Sequence, residues 1–64
     1  MLFDIERLEM LFVAGEILII DQLLHTFREH IEAGGTIQLF RGSDRNIELV
    51  ITTEAELEQY VQGL

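Results

Sequence analysis

The sequence predicts an α+β domain ordered helix, helix, β-hairpin, helix. Three observations carry this. Apolar residues recur at helical spacing in three segments. They alternate with polar residues in two others. Clusters of Gly, Ser, Asp and Asn fall between the segments. All 64 residues fit one domain, 1–64, with no repeat, low-complexity tract or internal linker.

The first helix is expected over FDIERLEMLFV, residues 3–13. Ile5, Leu8, Leu11 and Phe12 form its apolar stripe, with Asp4, Glu6, Arg7 and Glu9 on the other side. Asp4 and Glu6 fall in the first turn, where the helix dipole favours acids. Ala14-Gly15 ends it.

The second helix is read over EILIIDQLLHTFREHIEA, residues 16–33. Ile20, Leu23, Leu24, Phe27 and Ile31 make its stripe, extended by Ile17, while Leu18 points away. A competing reading makes Ile17–Ile20 a buried strand, with Asp21 capping a shorter helix. Gly34-Gly35 closes the segment, because glycine takes the left-handed cap conformation without steric cost.

TIQLFR (36–41) and NIELVIT (46–52) alternate as two strands, joined by Gly42-Ser43-Asp44-Arg45. One face should carry Ile37, Leu39, Ile47, Leu49 and Ile51, and the other Gln38, Phe40, Glu48 and Val50. The last helix begins at Thr53, which makes a capping box with Glu56. Leu57, Tyr60, Val61 and Leu64 lie on one side of it.

Size makes this arrangement marginal. A 7.4 kDa chain is expected to bury about 60% of an unfolded surface of roughly 10,700 Å², leaving roughly 4,200 Å². At ~25 cal/mol/Å² the apolar share contributes on the order of 100 kcal/mol, and ordering the chain at ~1.5 kcal/mol per residue costs about the same. Cysteine is absent, so no disulfide or thiolate–metal site adds to the total. The chain is 48% hydrophobic with a mean hydropathy of +0.25. These features predict association. A lone hairpin also has open edges, and two copies pairing edge to edge would make a four-stranded sheet across a homodimer.

Twelve acids stand against four arginines, with no lysine, for a net charge of −8. That charge repels nucleic acid and anionic membranes, so neither is expected as a direct partner. The N-terminus lacks a basic signal region, and the apolar runs Met10–Gly15 and Ile17–Ile20 are far below the ~20 residues of a membrane span. A cytoplasmic location is expected.

The stretch HTFREH (25–30) holds both histidines. A helical zinc motif sets its histidines at i and i+4. His25 and His30 are at i and i+5, about 140° apart, and cannot share an ion on a regular helix. Glu29 can meet His25 as a surface pair. Ser43, the single serine, sits in a turn beside Asp44 with no histidine near in sequence. Glu16 and Asp21 are the only acids in apolar surroundings, and they read as a helix start and a solvated helix side. Gly34-Gly35 lacks the lysine of a phosphate loop. No catalytic residue, metal or cofactor is assigned.

Two surfaces remain as protein-binding candidates. Phe40 and Val50 share the outer hairpin face, which is open unless the first helix covers it. Arg41 and Arg45 flank the hairpin tip, where they could dock a carboxylate or phosphate. The expected function is a small acidic, non-enzymatic regulator or adaptor that acts as a homodimer and binds another protein. The alternative is an acidic inhibitor: Glu54, Glu56 and Glu58 with Asp4, Glu6 and Glu9 would imitate nucleic acid in the basic groove of an enzyme.

Overall fold

In a computed structural model that describes residues 1–64, the chain opens on a strand rather than a helix. β1 (Leu2–Asp4) runs parallel to β2 (Ile37–Phe40), with Leu2 opposite Gln38, Phe3 opposite Leu39 and Asp4 opposite Phe40. The expected helix 3–13 is therefore shifted: α1 is Ile5–Ala14. Asp4 ends the strand and begins the helix. Its backbone is extended, and its carboxylate accepts the Glu6 N–H at 3.0 Å as an N-cap. The same oxygen accepts the Gly42 N–H at 3.2 Å, which ties the helix start to the chain beyond β2.

α1 stops at Gly15, whose φ of 68° is the left-handed conformation that glycine adopts without strain. α2 (Ile17–Glu32) follows at once. The Ile17–Ile20 run is helical, so the strand reading of that run fails. Ile20, Leu24 and Phe27 are buried, and Leu23 and Ile31 pack at the margin. Ile17 does not extend the buried stripe, being 67% exposed. Gly34 turns the chain out of the helix with φ +92°.

The hairpin is present, with β3 (Ile47–Ile51) antiparallel to β2 across a 3₁₀ turn at Gly42–Asp44. The sheet is three-stranded in the order β1-β2-β3. β1 thus occupies one of the two edges that the lone hairpin left open. Two copies joined edge to edge would share six strands rather than four. α3 (Glu54–Gln62) closes the fold. Thr53 Oγ1 accepts the Glu56 N–H at 3.1 Å. The Glu56 carboxylate reaches back to the N–H and hydroxyl of Thr52, one residue earlier than a standard capping box.

All three helices lie on one side of the sheet. The core is Ile5 and Leu8 from α1, Ile20, Leu24 and Phe27 from α2, Ile37, Leu39 and Ile51 from the sheet, and Leu57 from α3. Phe3 adds an edge-on contact to Phe27, with ring centroids 5.4 Å apart. The accessible surface is 4402 Å², close to the area expected for the mass.

The face assignment of β3 needs one correction. A register shift between Leu39 and Phe40 sets Ile47 opposite Phe40. Ile47 and Leu49 are 42% and 39% exposed, against 1% for Ile51. Ile37, Leu39 and Ile51 are the buried hairpin residues, and β3 is a free edge.

Asp4→Ala removes both the α1 cap and the link to Gly42. It is expected to cost about 1–2 kcal/mol, read as a lower urea midpoint with an unchanged slope. An unchanged midpoint would show that the cap contributes nothing.

Candidate interaction surfaces

Because paired residues project to the same side, the register places Leu2, Gln38 and Val50 in one row and Phe40 and Ile47 in the next, away from the helices. Leu2 is 60% exposed and Val50 41%, while Phe40 is half-buried. α1 contributes to the opposite face and leaves this one open. Phe40 and Val50 therefore share an uncovered side, and Leu2 and Ile47 join them. Neither neighbour was legible from the sequence pattern, since one lies on the missed strand and the other is moved by the register shift.

The two tip arginines separate. Arg41 donates to Glu9 at 2.6 Å and approaches Glu48 at 3.5 Å. The Glu9 hydrogen bond, more than the nearby charges, raises the guanidinium pKa. Arg41 is thus already committed to carboxylates of its own chain. Arg45 is exposed, with a left-handed φ of 59°, and makes no ion pair.

A second apolar surface lies at the bend between α1 and α2. Met10, Val13, Ile17 and Leu18 are 70%, 89%, 67% and 80% exposed. For the α2 residues the cause is a length mismatch. The 16 residues of α2 span ~24 Å at ~1.5 Å each, whereas the four of β2 span ~13 Å. Part of α2 therefore extends beyond the strand, and Ile17 and Leu18 lie outside the core, whereas Met10 and Val13 are exposed because they point away from the core that Leu8, Leu11 and Phe12 face. The sequence shows these residues as an apolar run, but only the packing shows that they cover nothing.

The histidines diverge. His25 pairs with Glu29 at 2.6 Å on the exposed side of α2, while the His30 ring lies against Gly35 and would clash with a side chain there. A groove of about 200 Å³ between α2 and α3 is lined by Arg28, Leu57, Glu58, Val61 and Gln62. It carries one guanidinium and one carboxylate. No helix is long and apolar enough to cross a membrane. Comparison with family models, curated proteins and solved structures gave no match.

Several acids are used internally. Asp4 caps α1, Glu9 holds Arg41, and the Glu56 carboxylate accepts from the Thr52 N–H and hydroxyl. The Thr52 hydroxyl and N–H pull the Glu56 pKa below the usual carboxylate range. Glu54 shifts the other way: a hydrogen bond and charge repulsion from Glu32 raise it, and Arg28 offsets this in part.

The folded state takes a proton at Glu54 more readily than the unfolded chain. The cost of the Glu32–Glu54 pair is therefore present at neutral pH and fades as pH falls through the raised value. Glu32 also stands at the C-terminal end of α2, where a negative charge is disfavoured. Glu32→Gln should raise the melting temperature at neutral pH and have little effect below about pH 4. A gain that is the same at both pH values would exclude this cause.

Tyr60 gives a second test. Its hydroxyl is enclosed without a hydrogen-bond partner, and desolvation, followed by repulsion from Glu9, raises its pKa. Tyr60→Phe should leave stability unchanged or raise it by up to about 1 kcal/mol. A clear loss would mean that the hydroxyl has a partner in solution.

Proposed function

We propose that the protein is a small, non-enzymatic interaction module, a regulator or adaptor that works in the cytoplasm as a homodimer and binds another protein. The observation that carries this is the uncovered sheet side and free β3 edge, where Ile47, Leu49 and Val50 are 42%, 39% and 41% exposed. An edge strand with three exposed apolar side chains can pair with another strand.

A second copy suits it. Aligned antiparallel about Leu49, two β3 strands set Ile47 against Ile51 and Glu48 against Val50, so no acid meets an acid. Glu48, the one charge in the strand, also has Arg41 at 3.5 Å. The nucleic-acid-mimic reading draws on six acids, of which Asp4, Glu9 and Glu56 already accept hydrogen bonds from their own chain. The apolar surfaces therefore support the proposal better than the acidic ones.

Sedimentation velocity across a wide dilution series tests the dimer. The wild type should move from dimer to monomer on dilution, and Val50→Asp should be monomeric throughout with an unchanged helical spectrum. A wild type that is monomeric at every concentration rules out the homodimer.

A further inference from the structure

We propose that the α1–α2 bend is a docking site for a basic amphipathic helix of a partner protein. This rests on the reading of the chain as an interaction module and names what its helical end would take. Met10, Val13, Ile17 and Leu18 together expose on the order of 500 Å², at the upper end for the largest apolar patch of a typical monomer. They stand on the two helix ends joined at Gly15, and exposed apolar side chains of this kind suit the apolar stripe of a partner helix.

Two observations choose among occupants. The first is area. A stable symmetric dimer takes ~800 Å² from each copy, so this patch alone is too small to hold a second copy. The second is charge. Glu16 immediately precedes Ile17, and Asp21 stands four residues after Ile17, both exposed. Arg7 is the one base beside them. A second copy would bring acids against acids, and an anionic membrane would be repelled. A helix with an apolar stripe flanked by lysine or arginine meets both the exposed apolar side chains and the acids beside them.

The probe is a synthetic helix with leucine at i, i+3, i+4 and i+7 and lysine elsewhere, titrated into the full chain by calorimetry. Its counterpart replaces lysine with glutamine. The leucine–lysine helix should bind, and Val13→Asp or Leu18→Glu should weaken it at least ~10-fold; both positions are exposed, so the fold is retained. Raising salt from about 0.05 to 0.5 M should also weaken binding at least ~10-fold. Val50→Asp should leave it unchanged.

Equal binding of the two peptides, or insensitivity to salt, overturns the basic-helix assignment while the interaction module stands. Binding that ignores Val13→Asp and Leu18→Glu, or no binding at all, overturns the site. Loss of the wild-type dimer in those two variants assigns the bend to a second copy, which also overturns the proposal. A wild type that binds the peptide but never dimerises loses the homodimer and keeps this site.

Discussion

The fold depends on covering one face of a three-stranded sheet with three helices. A chain of this length forms a single apolar layer between helix and sheet. Phe27 sits within that layer, 1% exposed, edge-on to Phe3 and in one core with Ile37, Leu39 and Ile51. Strand alternation then fixes what remains outside. Each residue that points toward Phe27 sends its neighbour to the solvent side, so burial of Ile37 and Leu39 leaves Gln38 and Phe40 on the open face. The open sheet side is the geometric consequence of a one-sided core.

Charge is organised around the same scaffold. Asp4 uses one carboxylate oxygen for both the α1 N–H of Glu6 and the Gly42 N–H. Glu9, one turn further along α1, holds Arg41. Two acids of α1 and its cap thus fasten the helix to the hairpin tip. The Arg41–Glu9 pair is solvent-exposed, so its worth lies in orientation more than in stability. The chain as a whole keeps a net charge of −8 on a surface with many exposed apolar side chains, and that charge opposes indiscriminate association.

The sequence made the helical and hairpin elements legible because their signals are local. The stripe Ile20, Leu23, Leu24, Phe27 and Ile31, the stop at Gly15 and the Thr53–Glu56 cap all depend on neighbours within a few residues. β1 was not legible for the opposite reason. Leu2–Asp4 is too short for a periodic pattern, and its partner is β2, more than thirty residues later in the chain. Asp4 was a usable signal, since an acid directly before the first striped residue marks an N-cap and excludes it from the helix. The register shift beside Phe40 could not be read from alternation, because a bulge is an interruption of that alternation. Of the proposed contact residues, Phe40 and Val50 share the open side. Arg41 and Arg45 part company because Glu9, 32 residues away in sequence, faces only Arg41.

The α1–α2 bend poses a separate physical question. A helix position that faces water needs only to stay helical and soluble, and Glu, Gln, Lys or Arg would serve. This chain instead has Val13, Ile17 and Ile19 in such positions, at 89%, 67% and 49% exposure. β-branched residues lose side-chain freedom in a helix and so disfavour it slightly. Left in water, they return little of the hydrophobic free energy that burial would supply. These positions carry a helix-propensity cost without a packing return inside the monomer. That imbalance would disappear if another surface covered them, as the proposed partner helix does.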